Sequence, residues 1–199
     1  FFLNKRKNIL IFDDETNDHK INIVQKIQKN ININLSDEDT NIFRDEDFLN
    51  KSNKVNLNFF NNINYNLLHY DEKWIKKLYI DSYKNIELDS DELSYFINSI
   101  IKKTNMDLVI TSGKQSTDSL KNLKSTMTHQ VNKVYYKKIN NFNLYYVEQP
   151  DFFELIELIR KTKICITCHG AATHVSSSFN NKTIDVVDGS KILLYRAYT

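Results

Sequence analysis

Ile164-Cys165-Ile166-Thr167-Cys168-His169-Gly170-Ala171-Ala172-Thr173-His174 decides the fold. Ile164 to Thr167 read as a short buried strand, and Cys168 to His174 as a turn leading into a helix that holds Val175 to Phe179. A strand that stops at a glycine-containing turn and passes directly into a helix is half of a strand–helix–strand unit. Thr183-Ile184-Asp185-Val186-Val187 supplies the next strand.

Moving upstream, the same alternation recurs. Asp151 can cap a helix carrying Phe153, Leu155, Ile156, Leu158 and Ile159. Before it, Tyr135-Tyr136 and Leu144-Tyr145-Tyr146-Val147 read as strands, and Ser116 to Met127 as a short helix. Asp107 to Thr111 is a strand closing at Ser112-Gly113. Ser90-Asp91-Glu92 opens a helix whose stripe is Leu93, Phe96, Ile97, Ile100 and Ile101. Asn66 to Tyr70 is a strand ending in the polar turn Asp71-Glu72-Lys73, followed by Trp74. Such alternation predicts an α/β fold: a doubly wound, Rossmann-like parallel sheet with helices on both faces. Sheets of this kind bind ligands beyond the carboxyl ends of their strands. The residues there are His69 to Lys73, Thr111 to Lys114, Glu148, Cys168 to His174, and Asp188-Gly189. All three glycines, Gly113, Gly170 and Gly189, fall among them, where a missing side chain lets backbone approach a ligand closely.

The first third of the chain is different. Asn8 to Phe12 reads as a strand feeding the acidic loop Asp13-Asp14-Glu15, and residues 21–27 carry a modest helical pattern. Residues 28–64 are rich in Asn, Asp, Lys and Ser and read as irregular or linking structure. The expected division is therefore 1–64, the remnant of an N-terminal acceptor domain with a linker, and 65–199, a ligand-binding domain. The chain opens on Phe1, so further upstream sequence is expected.

With 41% hydrophobic residues and a net charge of +2, the chain can build a core and lacks the basic excess of a dedicated nucleic-acid binder. No apolar run approaches the roughly 20 residues needed to cross a bilayer. Two cysteines without a disulfide framework suit a reducing cytoplasm. Gly and Pro are scarce, three and one in the whole chain, so Asn must supply much of the turn chemistry.

Residues 66–189 resemble the C-terminal nucleotide-sugar-binding domain of GT-B-type glycosyltransferases, in particular the heptosyltransferase-like family. The resemblance is carried by His69-Tyr70-Asp71-Glu72-Lys73-Trp74, Thr111-Ser112-Gly113, Phe153 to Ile159, and Cys168 to His174, in that order. The family's leading Asp in the last motif is replaced here by Cys168 or His169. The His-Gly-Ala-x-x-Thr portion is also similar to a second GT-B group. The resemblance implies transfer of a sugar from a nucleotide-sugar donor to a carbohydrate or lipid-linked acceptor in cell-envelope polysaccharide synthesis. It also implies work in the cytoplasm or at the inner face of the membrane, with no metal, cofactor or nucleic acid. The donor-binding set is then Lys73, Thr111, Ser112, Gly113, Glu148, His169, Gly170, Ala171, Ala172, Thr173 and His174.

The turn's own chemistry points the same way. A Gly-Ala-Ala entry to a helix exposes N–H groups without intrahelical acceptors, and the helix dipole adds positive potential, so a diphosphate fits. Thr173 could add a hydroxyl donor, His169 or His174 a ring N–H, and Lys73 a point charge. The plainer alternative is a strand-to-helix turn with small residues for packing. Candidate acceptor bases are Asp13, Asp14 and Asp71, with Glu15 beside them, against the plainer reading of solvated loops. Glu148 could take ribose hydroxyls, and Trp74 with Tyr70 could stack on a base, although a lone Trp is more often a packing anchor. Cys165-x-x-Cys168-His169 matches a haem-attachment pattern, but residues three apart on a strand face opposite ways. Two alternatives to a transferase remain: a non-catalytic binding domain of the same fold, and a redox or haem protein.

Overall fold

The computed structural model describes residues 57–75, 78 and 86–186. The strand and acidic loop at 8–15, the helical pattern at 21–27, and Asp188-Gly189 lie outside the described residues.

Among the described residues the strands and α-helices follow in chain order: β1 Tyr65–Tyr70, α1 Ser90–Thr104, β2 Asp107–Ser112, α2 Asp118–Ser125, β3 Thr128–Val131, β4 Val134–Ile139, β5 Phe142–Val147, α3 Phe152–Lys161, β6 Ile164–Cys168, α4 Ala171–Ser178 and β7 Lys182–Val186. One sheet contains all seven strands, in the order β3-β4-β5-β2-β1-β6-β7. Neighbours from β5 through β7 pair in parallel, while β3–β4 and β4–β5 pair antiparallel. The wholly parallel sheet expected from the alternation therefore ends in an antiparallel hairpin. The reason is chain length: only Asn140-Asn141 separate β4 from β5, and a parallel return needs a dozen or more residues.

Local chemistry sets the helix ends. Asp89 caps α1 and Asp151 caps α3, each in a reciprocal box with Glu92 and Glu154, and removing such a cap costs about 1 kcal/mol. Thr117 caps α2 through Leu120 N–H. Left-handed backbone falls on Asn105, Asn132, Asn140, Gln149 and Asn180 and on none of the described glycines. Asparagine thus takes the turn role expected of it.

The core divides by sheet face. Tyr65 and Leu67 of β1, with Val109, Tyr145, Val147 and Cys165, pack against Ile156 and Ile159 of α3 and Val175 of α4. Leu68 and Tyr70, with Leu108, Ile110, Tyr146 and Ile166, pack against Leu93, Ile97 and Ile101 of α1 and Leu120 of α2. Both faces are therefore covered, which is why β1 is buried along its full length. The core also reaches upstream of residue 65. Leu57 and Phe60 are buried, and Phe60 meets Tyr65 and Tyr145 edge-on at 5.7 and 5.4 Å. Asn66 is an outlier: it is fully buried, and among the described residues neither polar atom of its side chain finds a partner.

From β1 the chain winds outward to β2 and β5, then crosses back over the sheet through α3 to β6 and on to β7. Strand order reverses between β1 and β6. The helix that follows β1 packs on one face and the helix that follows β6 packs on the other, which makes this the switch point at which open α/β sheets form a ligand crevice at their carboxyl ends.

Candidate functional site

The β1 side of this crevice is a tightly fastened turn. Asp71 Oδ1 accepts from Lys73 N–H at 3.1 Å, capping the one-turn helix Glu72–Trp74. Trp74 donates from its indole to the His69 carbonyl at 2.9 Å, stacks on Tyr70 at 4.5 Å, and is 2% exposed. It is a packing anchor, with its ring face closed to any base or sugar. His69 is buried, and its Nδ1 lies 2.8 Å from Thr111 Oγ1 on β2. Burial holds His69 below the usual imidazole range, with Asp71 opposing and Lys73 reinforcing that shift. Asp71 Oδ2 lies 3.7 Å from both His69 Nε2 and Lys73 Nζ.

On the β6 side, α4 begins at Ala171, so Ala171 to His174 belong to its first turns and only Cys168 to Gly170 form the connection. Gly170 is extended, at φ 164° and ψ −154°, a conformation open to any residue. A Cβ there would overlap Lys73 Nζ, so a side chain at this position would displace that ammonium. Lys73 thus crosses from the β1 loop to lie over Gly170, at the entry to α4. The N–H groups of Ala171 and Ala172 have no acceptor among the described residues, as expected of a helix start.

Two expected phosphate donors are engaged differently. Thr173 gives its hydroxyl proton to Asp185 Oδ1 at 2.6 Å and accepts from Gly170 N–H at 3.2 Å. His169 Nδ1 lies 3.0 Å from Asp185 Oδ2. Asp185, on β7, has no signal in the sequence as a site residue, because its proximity depends on the Thr167–Asp185 register between β6 and β7. His174 packs edge-on against His169 at 5.7 Å, and its imidazole is held low by burial first and by His169 second.

A cleft of about 770 Å³ adjoins the crevice across β1, β2 and β5, lined by His69, Glu72, Ser112, Gly113, Gln149 and Asp151 among others. Ser112 accepts from Gln149 N–H at 2.9 Å, and Gly113 is crowded by the Glu72 carboxylate. Glu148 does not line the cleft. Both its oxygens accept from Lys124 Nζ at 2.8 Å, and that ammonium sits 4.6 Å over the Tyr135 ring. The structure therefore brings together Lys73, Gly170, Ala171, Ala172, Thr173, His169 and His174 on one side and Thr111, Ser112 and Gly113 on the other. Glu148 stands apart. Asp13 and Asp14 lie outside the described residues.

The two thiols point into different cores, Cys165 against α3 and α4, Cys168 against α1 and α2. Burial pushes the Cys165 thiol up to about 12 and raises Cys168 as well, so neither forms a ready thiolate. They cannot share one porphyrin or form a redox pair without leaving the strand. Among the described residues no His, Cys, Asp and Glu cluster is arranged for a metal ion, and no helix is long and apolar enough to cross a membrane. Compared with protein families, curated proteins and solved structures, the chain matches none of them.

Proposed function

We propose that this chain binds a nucleotide sugar at the β1–β6 crevice and forms the donor half of a GT-B-type glycosyltransferase. The observation that carries the reading is Lys73 lying over Gly170 at the opening of α4, beside the N–H groups of Ala171 and Ala172, which meet no acceptor among the described residues. A cation and a helix N-terminus converging at a strand-order reversal suit a diphosphate. The adjoining cleft sets the polar groups of Asp71, Glu72, Ser112, Gln149 and Asp151 among apolar surface that includes Leu78, Pro150 and Leu155. It suits the neutral, hydroxyl-bearing part of the same ligand. In sugar transfer the diphosphate departs carrying growing negative charge, which Lys73 and the α4 dipole would stabilise.

Binding without turnover is the second reading, and the state of Asp71 favours it. That carboxylate caps its own turn and faces His69 and Lys73, which suits it to setting local charge more than to deprotonating an acceptor.

Thermal unfolding with nucleoside diphosphates and nucleotide sugars tests the proposal. A ligand at a hundred times its Kd should stabilise by about 2.7 kcal/mol, a nucleoside without phosphates should not, and Lys73→Ala or Gly170→Val should remove the effect. If the unaltered protein responds to no diphosphate, the reading fails. Product formation with an added acceptor would then separate transfer from binding alone.

A further inference from the structure

Glu72 and Lys73 are chain neighbours that reach into different loops. Glu72 Oε1 accepts from Gln115 N–H at 2.8 Å, and its carboxylate fills the space where a side chain at residue 113 would start. Lys73 fills the corresponding space at residue 170. The two glycines are thus vacant for the same reason on opposite sides of one turn. Other hydrogen bonds of this turn, from Lys73 N–H to the Asp71 carboxylate, from the Trp74 and Ile75 N–H groups to the Asp71 and Glu72 carbonyls, and from the Trp74 indole to the His69 carbonyl, are local and tie it to its own strand. Among the described residues, the Glu72–Gln115 bond is the turn's hydrogen bond to the β2 loop. A lysine has four rotatable side-chain bonds, so its ammonium is held over one point only if the turn beneath it is held too.

We propose that Glu72 is a positioning residue: its latch onto the β2 loop sets the turn so that Lys73 is delivered across Gly170, and Gly113 and Gly170 lack side chains in order to admit these two. The backbone at both glycines lies outside the left-handed region, so alanine there alters space and little else. For its ligand arm the inference rests on Lys73 meeting a diphosphate; the latch itself does not depend on that reading.

Two thermodynamic cycles on the full chain test it. The first is read in urea midpoints. Gly113→Ala should lower the midpoint in the unaltered protein and leave it nearly unchanged in a Glu72→Ala background, where the methyl group has room. Gly170→Ala should behave likewise with Lys73→Ala. Equal losses in both backgrounds would overturn the latch. The second cycle is read by calorimetry with UDP and ADP. Glu72→Ala should weaken binding about tenfold, the scale of one charge-assisted hydrogen bond, and should add nothing in a Lys73→Ala background. Glu72→Gln, whose amide oxygen still accepts from Gln115, should restore most of the affinity. Independent, multiplying effects of Glu72→Ala and Lys73→Ala would overturn the positioning role. If neither nucleotide binds the unaltered protein, the donor-site proposal fails, while the urea cycle still decides the latch.

Discussion

The two-residue turn at Asn140-Asn141 and the loops at Gly113 and Gly170 both follow strands, yet different residues serve them. At the hairpin the backbone must enter left-handed space, and asparagine does so at a φ of 53°. At Gly113 and Gly170 the backbone stays out of that region, and Glu72 and Lys73 occupy the space that a side chain would take. Asparagine therefore solves a problem of torsion, and glycine a problem of crowding. The contrast separates turns that only reverse the chain from loops that receive two charged side chains from the turn after β1.

Four measurements would break or sharpen this contrast. The largest effect is expected at the crevice. Trp74→Ala removes a buried, stacked and hydrogen-bonded anchor and should cost about 3–5 kcal/mol in urea unfolding. A loss below 1 kcal/mol would mean that the turn is held by something else.

Next comes acidity. His69 titrates below its ordinary value of 6.5 when folded, so the unfolded chain takes up the proton first. Stability should be fully present above about pH 6.5 and fall as the pH drops below it, by up to about 1.4 kcal/mol per pH unit per such group. His174 adds in the same direction. Stability curves of His69→Asn, which can keep the Thr111 contact, should be flatter between pH 5 and 7. An unchanged slope would show that His69 is freely protonated in the folded state.

At the hairpin the effects should be smaller and purely conformational. Asn140→Ala should cost about 1 kcal/mol because alanine lacks the short amide that lets asparagine settle in left-handed space, while Asn140→Gly should be close to neutral. Equal costs for both would remove torsion as the explanation. The smallest change is expected at Glu148→Gln. Its ion pair with Lys124 is about one-third exposed, so the loss should stay below about 1 kcal/mol, and calorimetry should find nucleotide affinity unaltered. A drop in affinity would return Glu148 to the ribose role.

Most of the sheet was legible in the residues. The stripe from Leu93 to Ile101 and the Asp151 cap both correspond to helices, since local periodicity and capping determine such elements. Thr128 to Val131 carries no strand signal, because every residue of β3 is exposed and the four show no alternation. The antiparallel turn of β4 was readable only from the two-residue link at Asn140-Asn141, which periodicity ignores. At the site, Lys73 and Gly170 could be named from the turn chemistry, but their overlap could not, because 97 positions of sequence separate them and strand order alone makes β1 and β6 neighbours. Asp185 was out of reach for the same reason. The burial of Asn66 has no signature in a sequence where Asn is common.

The outermost strand on the hairpin side carries a consequence of its own. β3 is only four residues long, its register with β4 shifts between His129 and Val131, and Thr128, His129 and Gln130 give it a polar, solvent-facing character. A long flat edge would offer free backbone groups to a passing chain and invite fibril-like stacking. Here that invitation is withdrawn by brevity and a kink, so the parallel strands behind β4 are shielded from adding foreign strands on that flank.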